Sequence, residues 1–260
     1  MRTRFTRALY AASAAAVVAG SLTLTAGSAT GATHAKTGTV ACGRACVNIF
    51  AAQFGSNVTM NAFVPGDTGA GGRVGQKVNM RLDGNFRPNG DFTRVVVGVV
   101  TQFCGTSAND FFSPTSYVCT HYPFPFFPVT ELSWSPFGNQ SNLCAGVARG
   151  GVAGEDVTLQ PCGVSANTVW IFDENHNTHH STHPFSCFLP APRPVGPGVD
   201  PAVNYCPMIN GGDTRFSQPL VMTLNTGSSH PQNQLVLRPE TLVGPEIRSD
   251  QLFAFFRGPI

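Results

Sequence analysis

The chain carries few charged side chains. Asp, Glu, Lys and Arg make up 12% of its 260 residues, with 16 basic against 14 acidic. Without Arg2, Arg4 and Arg7, which belong to an N-terminal leader, the 16 basic residues become 13 against the same 14 acids. A body this close to neutral offers no electrostatic basis for binding nucleic acid or an anionic membrane. With 42% hydrophobic residues, the composition also excludes a disordered chain.

Motifs of the common enzyme classes are missing as well. The sequence contains no Gly-x-Ser-x-Gly, no His-Glu-x-x-His and no glycine loop of the phosphate-binding kind. The 14 acidic residues are scattered, so no carboxylate pair of a glycoside hydrolase can be nominated. We therefore predict that the protein is not an enzyme and requires no cofactor. An exported hydrolase ranks third among the hypotheses.

A long hydrophobic run occurs only near the N-terminus. The first seven residues carry three arginines and no acid, an Ala-rich apolar run extends from Ala8 to about Ala26, and small residues follow. This order is typical of a secretory signal peptide, with a transmembrane anchor as the alternative. No later stretch approaches the ~18 apolar residues of a membrane span. We predict a cleaved signal peptide at residues 1–31 and a soluble, monomeric, secreted domain at residues 32–260.

Eight cysteines follow the leader. An even number in an exported chain favours disulfides, although eight cysteines allow 105 pairings. Zinc binding is less favoured, because only the first two cysteines have the short spacing of a zinc site. Pairing of sequence neighbours, one of the possibilities, gives Cys42–Cys46, Cys104–Cys119, Cys144–Cys162 and Cys187–Cys206.

Long helical periodicity is absent too. The 28 Gly and 20 Pro residues separate short runs rich in Val, Ile, Phe, Thr and Leu, such as Val58–Phe63, Phe92–Val97 and Leu220–Leu224. Runs of this kind are typical of strands. About twelve to fourteen of them can be counted, which predicts an all-β barrel or sandwich.

A degenerate repeat is visible along the chain. Three units begin at Cys46, Cys144 and Cys206, and each is followed by two further strand-like runs. We predict pseudo-threefold architecture, interrupted by two loop insertions at residues 98–140 and 184–201. The first insertion is crowded with aromatics that either form a binding surface or cover one end of the barrel: Tyr117, Tyr122, Phe124, Phe126, Phe127 and Trp134.

A histidine-rich run follows the strand at Val169–Phe172. It contains His176, His179, His180 and His183, four of the seven histidines. Imidazoles are common ligands of transition metals, but this spacing matches no standard zinc signature. We predict a polar loop without a tight metal site.

The stretch from Asn142 to Phe172 resembles one lobe of a ricin-type β-trefoil lectin, by its Cys144-to-Cys162 spacing and the strand closing at Trp170. Similar lobes occur in exported actinobacterial proteins of unassigned function. Near the C-terminus, Asp250-Gln-Leu-Phe253 is similar to the Gln-x-Trp signature of that family, with Phe for Trp. The resemblance implies an all-β, β-trefoil-like barrel of three degenerate repeats, a Cys144–Cys162 disulfide and a buried Trp170.

The resemblance also bears on ligand binding. Sugar-binding lobes of the family carry an Asp two residues after the first Cys, and the positions taken as equivalent here are Asn48, Gly146 and Met208. Thr168 replaces the signature Gln, whereas Asn167 matches a ligand-contacting Asn. The implied function is an exported, non-catalytic binding module, with carbohydrate as the first expected ligand and Asn167 and Asn48 as candidate contacts. The alternative is an exported structural or protein-interaction domain that binds no sugar.

Overall fold

The computed structural model describes residues 46–55, 58–62, 72–82, 91–136, 140–176, 196–200, 203–213, 216–225, 234–243 and 246–257. Within these ranges no helix has the length and apolar character needed to cross a membrane. Several predictions concern residues outside them: the leader at 1–31, Cys42, Cys187, the three histidines after His176, and most of the insertion at 184–201.

Six strands form a closed barrel. They are β1 (Cys46–Ala51), β4 (Phe92–Val99), β5 (Pro128–Trp134), β8 (Val169–Phe172), β9 (Met208–Asn210) and β14 (Phe253–Arg257). The antiparallel order β9-β8-β5-β4-β1 continues from β1 to β14. Reciprocal backbone hydrogen bonds between Cys206, just before β9, and Phe253 close the ring, at 2.9 and 3.1 Å.

Three antiparallel hairpins accompany the barrel. They are β2–β3 (Val58–Asn61 and Asn79–Leu82), β6–β7 (Leu143–Gly146 and Thr158–Pro161) and β10–β11 (Leu220–Leu224 and Leu235–Pro239). Val78 N–H donates to Val157 O (3.0 Å), Val157 N–H to Leu235 O (2.8 Å) and Leu235 N–H to Val78 O (3.1 Å). This cyclic triangle of bonds marks a pseudo-threefold axis, so the prediction of a β-trefoil-like, all-β fold is confirmed.

The central core lies inside the barrel and beneath the hairpins. Along β8 the side chains alternate, so that Trp170 and Phe172 join this core while Val169 and Ile171 face outward. Phe92 meets Trp134 edge-on, with ring centroids 5.3 Å apart. Aromatic and branched side chains alternating on short strands therefore account for both the strands and their inner faces.

The insertion between β4 and β5 covers the outside of the barrel. It contains a turn of 3₁₀ helix at Val100–Phe103, the short helix α1 (Tyr117–Thr120) and a 3₁₀ turn at Phe124–Phe126. Its apolar residues pack on the outward side chains of the barrel strands in a second core. One of the two alternatives for this insertion was that it covers one end of the barrel. It does cover the barrel, but on a side rather than at an end.

The predicted boundaries of the middle repeat are wrong. Its first strand is β5, inside the stretch 98–140 predicted as an insertion, and Trp134 is a core residue of that strand. Cys144 lies on the second strand of its lobe, whereas Cys46 starts a first strand. The three lobes are β1–β4, β5–β8, and β9–β11 with β14. Between β11 and β14 lies an additional hairpin of β12 (Leu242–Val243) and β13 (Glu246–Ile247).

Disulfides secure two of these elements. Cys104–Cys119 ties the insertion together, and Cys144–Cys162 joins the ends of the β6–β7 hairpin. The resemblance to a trefoil lobe implied Cys144–Cys162, and Cys104–Cys119 was one of the neighbour pairings that the sequence left open. Cys46 and Cys206 are disulfide-bonded too, and the predicted pairs Cys42–Cys46 and Cys187–Cys206 each include a residue outside the described ranges.

Candidate ligand-binding site

Pseudo-symmetry identifies corresponding positions in the second and third lobes. Trp170 in β8 and Phe253 in β14 both lie in the central core, on strands that follow a hairpin and pair with the first strand of the next lobe. The residues three positions earlier, Asn167 and Asp250, therefore correspond to one another. Each lies in a turn of 3₁₀ helix immediately before its strand.

Asn167 uses its side chain to hold the loops around it. Its amide Nδ2 donates to Ala148 O at 3.4 Å. The side chain also packs against Gly150 and Gly212, where a Cβ at either glycine would overlap the Asn167 oxygen. Asn210 Nδ2 donates to Asn167 O at 2.9 Å. The candidate contact therefore joins the hairpin of the second lobe to the third lobe, and its role toward a ligand stays a prediction.

The glutamine of the family signature is present in the third lobe and replaced by threonine in the second. In the third lobe, Gln251 Oε1 accepts the Thr241 N–H at 2.8 Å. In the second lobe Thr168 occupies that position. The side-chain oxygen that accepts a backbone N–H is supplied there by Glu131 on β5. Glu131 Oε1 accepts the Gly163 N–H at 2.9 Å and the Thr168 hydroxyl. Burial raises the pKa of Glu131 above its ordinary value, and the two hydrogen bonds partly oppose this.

Asn48 occupies a different kind of position from Gly146. It lies on the barrel strand β1, 2% exposed and paired with Phe256, whereas Gly146 lies on the hairpin strand β6 opposite Thr158. By hairpin register the residues that correspond to Gly146 are Asn61 and Thr223. The predicted equivalence of Asn48, Gly146 and Met208 is therefore wrong, because the Cys residues used to align the lobes lie on different strands.

The third lobe carries a surface cavity of about 380 Å³ next to Asp250. Val199, Val243 and Ile247 give it apolar walls, and the rest of its lining is polar: Gln53, Glu246, Arg248, Ser249 and Asp250. A concave site that combines apolar walls with a few convergent polar groups is typical of small-ligand pockets.

Two polar groups in this cavity are arranged for recognition. Arg248 donates to both carboxylate oxygens of Asp250, from Nε at 3.0 Å and from Nη2 at 2.6 Å. This bidentate pair fixes the guanidinium while leaving the Arg248 side chain 46% exposed. Gln53 Oε1 is buried and accepts no hydrogen bond from the described residues. A buried acceptor without a donor is unfavourable unless something else supplies one.

Sequence reasoning missed this cavity. Asp250 was noted only as part of a stretch similar to the Gln-x-Trp signature, and nothing in the sequence relates it to Gln53, which follows β1 almost two hundred residues earlier. Arg248 lies only two residues before Asp250, yet that spacing is common on any surface. Contacts between distant segments of the chain create the site.

His176 takes part in a separate cluster between β8 and β11. Its Nδ1 lies 2.8 Å from Asp173 Oδ2 and 3.3 Å from Glu240 Oε1. The hydrogen bond to Asp173, followed by the proximity of Glu240, raises the pKa of His176 to about 10. Burial raises the pKa of Glu240.

Comparison with known proteins adds little to these findings. No protein-family model matches the chain, and no curated protein matches it. Among solved structures, the designed 3-fold symmetric protein ThreeFoil is similar, with a TM-score of 0.44 and 10% identity over 81% of this chain and 96% of that chain. The fold assignment therefore rests on the barrel, the hairpins and the bond triangle of this chain, and membership of the ricin-type family stays a prediction.

Proposed function

We propose that this protein is an exported, non-catalytic binding module that holds a small hydroxyl-rich ligand, a carbohydrate first, in the third-lobe cavity. The observation that carries the proposal is the orphan acceptor of Gln53, one of the residues that line that cavity. Gln53 Oε1 is buried without a donor from the described residues, and a ligand hydroxyl would supply one. The disulfides agree with an oxidising compartment.

The remaining polar groups suit the same ligand. The exposed part of Arg248 offers donors, and Glu246 and Ser249 add acceptors and a hydroxyl around the rim. A cavity of about 380 Å³ is at the small end of ligand pockets, which favours one or two sugar rings over a long chain. Because Asp250 is engaged by Arg248 through both oxygens, its carboxylate suits positioning rather than proton transfer.

A glycan-array screen of the mature protein, followed by calorimetry on the best ligand, tests this proposal. We expect Arg248→Gln to weaken binding at least tenfold, since it removes the charged donor. Arg149→Gln is the matched control, because Arg149 is an exposed arginine of the second lobe that pairs with Glu155. A ligand that binds both variants equally well, or that is hydrolysed by the wild type, would contradict the proposal.

A protein-interaction domain is the second candidate, and one observation favours it. Tyr122 is 84% exposed and Phe126 60% exposed, and their rings lie edge-on at 6.2 Å on the disulfide-tied insertion. Neighbouring exposed aromatics are typical of interaction surfaces. A blank glycan array with folded protein would favour this candidate.

A further inference from the structure

Three side chains of metal-binding type converge where β8 and β11 end. Asp173 follows β8, His176 completes the next 3₁₀ turn, and Glu240 follows β11. One donor atom from each lies within 4.8 Å of the others. We propose that Asp173 Oδ2, His176 Nδ1 and Glu240 Oε1 bind a divalent first-row transition metal cation, for which Zn²⁺ is the probe.

The separations of the donor atoms fit a common cation. Metal–ligand bonds of about 2.1 Å place neighbouring donors about 3–3.5 Å apart in tetrahedral or octahedral geometry. The imidazole nitrogen lies 2.8 Å and 3.3 Å from the two carboxylate oxygens. One imidazole with two carboxylates is a borderline donor set that suits zinc and its first-row neighbours.

The backbone holds both carboxylates in place. Asp173 N–H donates to Pro207 O at 3.1 Å, and Glu240 N–H donates to Pro219 O at 2.8 Å. Asp173 Oδ1 accepts the Asn175 N–H at 2.9 Å, which turns Oδ2 toward the cluster. Such outer hydrogen bonds orient metal ligands and favour a preformed site.

The Glu240 carboxylate of this cluster is buried. Its side chain is 7% exposed, and its Oε1 is paired with His176 Nδ1 at 3.3 Å. A buried carboxylate gains from a cation placed beside it. The side chain of His176 is 37% exposed, so the cluster is open on that side to an entering ion.

This inference departs from the sequence-based expectation of no tight metal site. That expectation considered only the spacing of histidines along the chain. The spacing says nothing of Glu240, which arrives from another hairpin. Without a cation the three side chains form a salt-bridged triad, and that is the opposing outcome of the test.

Calorimetric titration of tag-free, EDTA-stripped mature protein with ZnCl₂ decides between the two. We expect one Zn²⁺ per chain, a melting temperature that rises with Zn²⁺, and a Kd weakened at least about tenfold by Glu240→Gln or Asp173→Asn. Asp156→Asn, which removes an exposed acid paired with Lys77, should bind like the parent.

The histidine-rich run supplies a further control. A variant with His179→Gln, His180→Gln and His183→Gln should retain the Zn²⁺ affinity, because the three proposed ligands remain. Far-UV circular dichroism establishes that each variant is folded, and the shift of melting temperature with Zn²⁺ gives a second readout. No binding by the wild type at millimolar Zn²⁺ would overturn the proposal. So would binding that survives Glu240→Gln and disappears from the triple variant.

Discussion

Replacing Trp170 by Ala tests the lobe directly. Trp170 is fully buried in the central core, and its Nε1–H donates to Ala145 O at 2.9 Å. Removing a large buried aromatic costs about 3–5 kcal/mol through lost burial and the cavity left behind. The substitution also leaves Ala145 O without this donor in the core, which places the expected cost in the upper part of that range.

The expected loss is readily measured. For a domain of this size, 1 kcal/mol corresponds to about 2–4 °C in melting temperature. Trp170→Ala should therefore lower the melting temperature by about 8–20 °C. Far-UV circular dichroism follows the thermal transition, and urea denaturation gives the free energy of unfolding. Trp170→Phe keeps most of the apolar contact and loses the hydrogen bond, so it should cost less.

A surface substitution on the same lobe controls for general effects. Val164 is 74% exposed, and Val164→Ala should change stability by no more than about 0.5 kcal/mol. If Trp170→Ala melts like Val164→Ala, Trp170 does not close the second lobe, and the argument from that lobe to a trefoil fails.

Three further predictions concern the second lobe. Glu131→Ala should cost about 1–3 kcal/mol, because it removes a buried acceptor. Since burial raises the pKa of Glu131, the folded state holds its proton more tightly than the unfolded state, and this group favours folding increasingly as pH falls through that raised pKa. Glu131→Gln should remove this dependence of the unfolding free energy on pH. Urea denaturation across the acidic range measures it, and an unchanged dependence in the variant would contradict the prediction. Asn167→Ala should cost roughly 1 kcal/mol or less and leave carbohydrate affinity intact; loss of affinity in calorimetry would move the site to the second lobe. Cys144→Ser with Cys162→Ser should cost about 3 kcal/mol, and peptide mapping of the parent that recovered free thiols at these positions would refute the pairing.

The sequence did not predict the cavity of the third lobe, because the ligand contacts that it nominated were Asn167 and Asn48. Asn167 was nominated from the resemblance to a trefoil lobe, and in the structure two loops surround it and engage its amide. Asp250, at the corresponding position of the third lobe, lines the cavity. The equivalence of Asn48 with Gly146 was wrong because the alignment relied on cysteines, and a cysteine can lie on a barrel strand in one lobe and on a hairpin strand in another. The role of Asn48 toward a ligand stays a prediction.

Local rules were enough to predict much of this protein from its sequence. Short runs of apolar and β-branched residues predicted the strands, several of them alternating because side chains on a strand alternate with a period of two. The resemblance to a trefoil lobe implied the buried position of Trp170. The resemblance to a trefoil lobe also implied Cys144–Cys162, and pairing of sequence neighbours offered Cys104–Cys119 as one possibility; both disulfides form. These features depend on residues that are near one another in the chain.

Only the tertiary structure decided where the lobes begin and which distant residues meet. The triangle of hydrogen bonds among Val78, Val157 and Leu235 shows which residues of the three repeats correspond. No local pattern shows where the second repeat begins, since its first strand, β5, contains no cysteine. Gln53 reaches the third-lobe cavity, and Glu240 reaches His176, by closure of the barrel and its hairpins. Such contacts join segments far apart in sequence, and their pairing is determined by the packing of the whole fold rather than by the residues beside them.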